Sequence, residues 1–167
     1  MPEVFIGMGS NMGDRLAHIS SAVHELKHRF VLLKVSSLYE TEPVGYREQT
    51  DFLNCVVSVE TDTPPHELLG ILKDIEKHAG RVESFRNAPR PIDLDILLYG
   101  DQTVSEAGLE IPHPRLHERA FVLVPLVEIA PDLLHPILHK TMMELLEGLE
   151  GGKRVEKWGE LPEAARS

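Results

Sequence analysis

A chain of 167 residues, 42% of them hydrophobic, can bury one core without disulfide or metal staples, so a single domain over 1–150 with a charged tail over 151–167 is expected. Cys55 stands alone, which excludes an intramolecular disulfide; with no basic-then-apolar leader and no apolar run near the ~20 residues of a membrane span, a soluble cytoplasmic protein is expected. A net charge of −10 argues against holding nucleic acid through a general electrostatic field.

The first predicted element is a strand, Glu3-Val4-Phe5-Ile6-Gly7-Met8-Gly9, running into the loop Ser10-Asn11-Met12-Gly13. Leu16, Ile19, Val23 and Leu26 then recur at helical spacing, with Asp14 placed to favour the first turn. Residues 31–39 are rich in β-branched and apolar side chains and read as one strand. A long loop with Pro43 and Gly45 follows over 41–50, then a third strand over 52–60 that carries Asn54 and Cys55. Pro64-Pro65 opens a helix with the stripe Leu68, Leu72, Ile75 and Ala79, ended by Gly80. After the polar loop 81–91, Ile92 to Tyr99 is the fourth strand, closed by a turn at Gly100-Asp101. The order β-α-β-β-α-β predicts a mixed α/β protein of the α+β sandwich type. Two helices cover one face of a largely antiparallel, ferredoxin-like sheet. Beyond that core, 119–129 reads as a helix broken at Pro125 and 142–149 as another, while Gly151-Gly152 opens a tail expected to fray.

The fourth strand holds the strongest chemical signal. Asp93 and Asp95 are two apart, so on a strand they share one face while Ile92, Leu94 and Ile96 turn to the core. Two neighbouring anions on half-buried backbone repel each other unless a cation lies between them. An arginine just ahead, Arg90, and a divalent metal are the candidates. Paired carboxylates suit Mg²⁺, which keeps its other positions for water and phosphate. Five of the ten arginines (Arg81, Arg86, Arg90, Arg115, Arg119) fall between 81 and 119, where no lysine occurs, and the guanidinium fork matches phosphate oxygens. Two loops of about ten residues exceed what connection requires and suit binding loops or lids. A bare Asp-x-Asp alone would read as an edge strand with a solvated face.

The run Arg86-Asn87-Ala88-Pro89-Arg90-Pro91-Ile92-Asp93-Leu94-Asp95-Ile96-Leu97 resembles the signature of the 6-hydroxymethyl-7,8-dihydropterin pyrophosphokinases of folate biosynthesis at all twelve positions. The likeness extends through Gly7-Met8-Gly9-Ser10-Asn11, Phe52-Leu53-Asn54, Ile111-Pro112-His113-Pro114-Arg115 and Glu118 to Leu126. It implies a ferredoxin-like fold and transfer of the terminal pyrophosphoryl group of ATP to the pterin hydroxymethyl oxygen, releasing AMP. By this resemblance Asp93 and Asp95 hold two Mg²⁺ ions, with Asp95 also a candidate acceptor of the hydroxyl proton. Arg81 and Arg90 contact the triphosphate and the transition state, and Arg86 is a looser loop contact. His113 and Arg119 match further ATP-site positions, with Lys73, Glu76 and Ile96 on the nucleotide side. Asn54 pairs with the amide edge of the pterin, which needs both a donor and an acceptor. Phe121 stacks on the ring, Thr41, Pro43 and Val44 belong to the loop that covers it, and Phe52 adjoins Asn54. A contact with the next folate-pathway enzyme also belongs to this expectation.

The chain departs from the family pattern in four places. Phe52 stands where well-studied members have tyrosine, Asn87 is nearest to an expected loop tryptophan, Glu83 replaces an arginine, and that loop is one residue shorter. Two other classes stay open on the residues alone. A metal-dependent phosphohydrolase would use the same Asp pair without an acceptor, and a non-catalytic ligand-sensing or RNA-binding module would share the fold. RNA binding would call for strand aromatics and a basic sheet face, against 5% aromatic content here. His135 and His139 are four apart, but Pro136 spoils the helix a zinc pair would need.

Overall fold

The computed structural model describes residues 1–42, 50–79, 91–149 and 155–166. Strands β5 (Asp93–Tyr99), β1 (Glu3–Ser10) and β4 (Phe52–Glu60) pair antiparallel in that order, with β5 at one edge of the sheet. The other edge of β4 pairs with β2 (Val31–Val35) towards one end and β3 (Leu38–Thr41) towards the other, and β3 in turn pairs with β8 (Val155–Gly159). A small hairpin, β6 (Val104–Glu106) with β7 (Leu109–Ile111), follows β5. The mixed α/β class and the helix–strand order of the core are as expected.

Helices α1 (Arg15–Arg29) and α2 (Pro65–His78) cover one face. Asp14 caps α1 by accepting from the Ala17 N–H at 3.1 Å, and Pro65 opens α2 where its missing N–H costs nothing. Ile19, Val23 and Leu26 of α1 and Leu68, Leu72 and Ile75 of α2 are buried against Ile6, Met8, Cys55, Val57, Leu94 and Ile96. Helices α3 (Ala120–Ile129) and α4 (Met142–Glu147) pack on the opposite face, on Phe5, Val56, Leu97 and Leu98. Among the described residues no helix is long and apolar enough to cross a membrane.

The expected strand over 31–39 is two strands with a slip between them. Val35 pairs with Val57 and Tyr39 with Asn54, four residues against three, so one extra residue enters at Ser36–Ser37. Ser36 bridges the slip: its N–H donates to the Val56 carbonyl and its Oγ accepts from the Val56 N–H, both at 2.9 Å. An odd insertion reverses side-chain alternation, so Tyr39 and Thr41 point to the face of Asn54 instead of the helix side.

Two further expectations are corrected. Helix α3 is not broken at Pro125: the Val122 and Leu123 N–H groups both reach the Arg119 carbonyl at 3.0 Å, and the Ala130 N–H reaches Leu126 at 2.8 Å. A mid-helix proline costs roughly 3 kcal/mol, and burial of Val122, Leu123, Pro125 and Leu126 offsets it. Residues 155–166 do not fray, because β8 extends the sheet and Leu161 and Ala165 are buried in the α1–α2 core. A short helix, α5 (Glu163–Arg166), accepts from Lys27 of α1 through the Ala164 carbonyl.

His135 is engaged in folding. Its Nδ1 accepts from the Ile137 and Leu138 N–H groups at 3.2 and 3.1 Å, so the ring proton resides on Nε2. Burial, then His117 and His139, pull its pKa below 6.5. Protonation of Nδ1 would end both bonds, so the unfolded chain takes that proton more readily. The contribution to stability is whole above pH 6.5 and falls away as pH drops below it. Denaturant midpoints measured from pH 7 downward are expected to decline more steeply in the parent than in His135→Ala. Parallel slopes would dismiss His135 as a source of acid sensitivity.

Candidate functional site

Three strands lay their residues in two rows on the face opposite α1 and α2. Asn54, Gly9 and Asp93 form one row, and Val56, Gly7 and Asp95 the next. Asp93 and Asp95 are half-buried while Leu94 and Ile96 are buried, the alternation expected of an Asp-x-Asp strand. Asn54 and Asp93 stand two strand spacings apart, roughly 9.6 Å. The floor between them is glycine. A Cβ on Gly9 would lie 2.7 Å from Asn54 Oδ1 and 3.3 Å from Phe52 Cδ1, so both side chains lean over β1 because Gly9 has none.

The Asn54 amide is oriented by β3: its Nδ2 donates to Thr41 Oγ1 at 2.7 Å, with both residues buried. Thr41 reaches this face only because of the slip at Ser36–Ser37. The ends of the following loop are tied down by Arg15, at the start of α1. One guanidinium nitrogen donates to Glu40 Oε2 at 2.8 Å and to the Asp51 carbonyl at 2.9 Å, and Asn11 Nδ2 donates to the Thr50 carbonyl at 3.4 Å. Nothing in the sequence signals Arg15, since its partners lie 25 and 36 residues away.

At the other end stand His113, Arg115 and Arg119. The His113 backbone N–H donates to Leu97 at 2.9 Å, and its Nδ1 accepts from the Arg115 N–H at 3.2 Å. Burial pushes the imidazole down to about 4, Arg119 and Arg115 add to the shift, and Asp93 opposes it. His113 is therefore neutral at pH 7 and presents an Nε2–H donor. Arg119 is pulled below its ordinary value by burial, with Asp95 and Asp93 opposing; it stays cationic, with its guanidinium 5.4 Å from the Phe121 ring centroid.

Glu76, expected on the nucleotide side, reaches the β5 backbone. It is 5% exposed, and Oε2 accepts the Leu94 N–H at 2.8 Å. Leu94 lies between the two aspartates on the edge strand β5, so Glu76 satisfies an edge amide behind the carboxylate pair. The Ile96 side chain belongs to the helix-side core, and Lys73 is exposed on α2. Pro43, Val44, Arg81, Arg86 and Arg90 lie outside the described residues, as do Glu83 and Asn87. Among the described residues no group of three or more His, Cys, Asp or Glu forms a metal cage. Two carboxylate ligands with substrate oxygens completing the shell is the pattern of Mg²⁺ rather than of a dedicated protein cage. The hard oxygen donors of Asp93 and Asp95 fit that ion.

Carboxylates beside arginines at one end and an oriented amide at the other suit transfer of a phosphate-bearing group to a small planar acceptor. A sequence model of the 7,8-dihydro-6-hydroxymethylpterin-pyrophosphokinase family matches residues 5–131. The chain is 42% identical over 144 residues to the 2-amino-4-hydroxy-6-hydroxymethyldihydropteridine pyrophosphokinase of Aquifex aeolicus, covering 86% of this chain and 90% of that one. It is 47% identical over 131 residues to the Bacillus subtilis protein of the same name, covering 77% and 78%. Against the folic acid synthesis protein FOL1 of Dictyostelium discoideum it is 43% identical, over 91% of this chain but only 23% of that relative. A Plasmodium falciparum HPPK-DHPS crystal structure superposes with a TM-score of 0.73 at 18% identity, covering 87% of this chain and 43% of that one; it shows the shared fold. The chain belongs to the dihydropterin pyrophosphokinase family.

Proposed function

We infer that this chain transfers the terminal pyrophosphoryl group of ATP to the hydroxymethyl oxygen of 6-hydroxymethyl-7,8-dihydropterin in folate biosynthesis, giving the dihydropterin diphosphate and AMP. The observation that carries this reading is the Asn54–Gly9–Asp93 row. It sets a hydrogen-bonding amide two strands from a carboxylate pair, a span suited to a bicyclic ring with a hydroxymethyl arm.

Asn54, held by Thr41, reads the ring's amide edge with an acceptor and a donor, while Phe52 and Phe121 supply apolar surface to its faces. Phe52 brings that surface without a hydroxyl contact. Pro43 and Val44 close over the ring in this reading. The acceptor oxygen then faces Asp93 and Asp95. Two Mg²⁺ ions held by this pair would neutralise the triphosphate and the charge that builds as AMP leaves.

The chain's own part is positioning and charge. Arg119 and the Nε2–H of His113 face phosphate oxygens; Arg81, Arg90 and, more loosely, Arg86 clamp the triphosphate, with Arg81 and Arg90 following the charge into the transition state. Lys73 and the backbone at Ile96 flank the nucleoside, and Glu76 braces the β5 backbone from behind. The bond formed joins the hydroxymethyl oxygen to the β-phosphorus, and the bond broken joins that phosphorus to the bridging oxygen retained by AMP. The hydroxyl proton goes to an Asp95 carboxylate oxygen. We further propose a cytoplasmic monomer that touches the next folate-pathway enzyme.

The deciding experiment measures AMP release from ATP and Mg²⁺ with and without the dihydropterin. AMP made only with the pterin, together with a pyrophosphorylated pterin, supports the transferase. Phosphate or pyrophosphate released without an acceptor would replace it with a hydrolase.

A further inference from the structure

One carboxylate ties the far end of α3 to the substrate-binding sheet. Glu128 lies seven residues, about two turns, beyond Phe121 on the same helix. Its Oε1 accepts from the Ser37 N–H and the Tyr39 O–H, each at 2.8 Å, and its Oε2 accepts from Ser37 Oγ at 2.7 Å. These bonds exist because of the slip between β2 and β3. Ser36 takes the Val56 carbonyl in the ladder, so the Ser37 N–H turns away, in a residue only 2% exposed. A buried amide without a partner is costly, and a carboxylate is a strong acceptor for it. Tyr39, the second anchor, is the cross-strand partner of Asn54. Burial, then the bond to Glu128 and its charge, push the Tyr39 phenol up to about 12.

The near end of α3 rests on apolar packing, through Val122 and Leu123. Arg119 at its N-cap makes no side-chain capping bond, and Pro125 removes one rung of the helix between Phe121 and Glu128. We propose that Glu128 is a positioning residue for the acceptor slot: through Ser37 and Tyr39 it sets the height of α3, and so of Phe121, above Asn54 and Phe52. This rests on the pterin reading of that slot.

The test compares dihydropterin and ATP affinities, by titration calorimetry on the full chain, for Glu128→Ala, Glu128→Gln and Phe121→Ala. Glu128→Ala is expected to weaken pterin binding about tenfold while ATP affinity stays near the parent value. Glu128→Gln should recover most of the loss, since an amide oxygen still accepts from the Ser37 N–H. Should Glu128→Ala not fold, the Ser37→Ala/Tyr39→Phe double variant removes the two hydroxyl donors and should weaken pterin selectively as well. Equal losses for pterin and ATP, or a glutamine variant no better than alanine, would overturn the proposal. So would a selective pterin defect in Phe121→Ala with none in Glu128→Ala, while the site reading survived. If Phe121→Ala binds pterin as the parent does, the site reading fails and the positioning role of Glu128 falls with it.

Discussion

Asp95→Asn is expected to lower turnover by about 10³-fold while leaving metal-free dihydropterin binding close to the parent value. The substitution keeps size and hydrogen-bonding shape but replaces an anionic oxygen with a neutral amide, a poor ligand for a hard divalent ion. Asp95 is half-buried on the open face of β5 and its neighbours Leu94 and Ile96 are buried, so the strand itself has no reason to move. Asn54 lies two strands away in the adjoining row, and its orientation depends on Thr41 and Gly9 rather than on β5. Arg119 does feel Asp95, so a modest change in ATP affinity is expected alongside the larger change in turnover and Mg²⁺ requirement. Turnover and metal-free pterin affinity, measured on the same preparation, separate the roles. An equal fall in both would make Asp95 a fold-holding residue.

What the sequence disclosed were the features with local periodicity. The stripes Ile19–Val23–Leu26 and Leu68–Leu72–Ile75 mark helices because burial repeats every turn, and Asp93 and Asp95 share a face because a strand alternates. What stayed hidden depends on partners distant in the chain. The slip at Ser36–Ser37 is stabilised by Glu128, 91 residues later, so residues 31–39 look like one uninterrupted strand. Residues 155–159 become a strand only by pairing with β3, and with Gly, Lys, Arg and Glu around them their composition reads as tail. Pro125 marks a helix break by local rules, and only packing on both sides overrules it. In the candidate site, Asn54, Asp93, Asp95, His113, Arg119 and Phe121 were legible through a motif, whereas Thr41 was legible only as part of a covering loop and not as the end of β3 that holds Asn54. Arg15 was not, and Glu76 was legible as a site residue but not as the acceptor for an edge amide. Each of those two depends on where a carbonyl or an N–H is left over once strands pair, and spacing alone does not reveal that.

Two glycines on the same face of β1 should answer differently to the same methyl group. Gly9→Ala is expected to raise the KM for dihydropterin by roughly tenfold or more, because the new Cβ would sit 2.7 Å from Asn54 Oδ1. The Asn54 amide cannot simply step aside, since Nδ2 is held by Thr41 Oγ1 at 2.7 Å; rotating Oδ1 away gives up that bond or turns the wrong edge to the ring. Phe52, 3.3 Å from the same point, blocks the other direction. Gly7→Ala places its methyl 3.4 Å from Leu97, an ordinary contact with a side chain already in the core, and should leave the KM near the parent value. Steady-state KM and kcat for both variants, with melting temperatures as a control, decide the matter. A pterin defect confined to Gly9→Ala assigns the bare glycine to the orientation of Asn54. Equal defects would mean that the face as a whole rejects a methyl group, and the amide-orienting role would be abandoned.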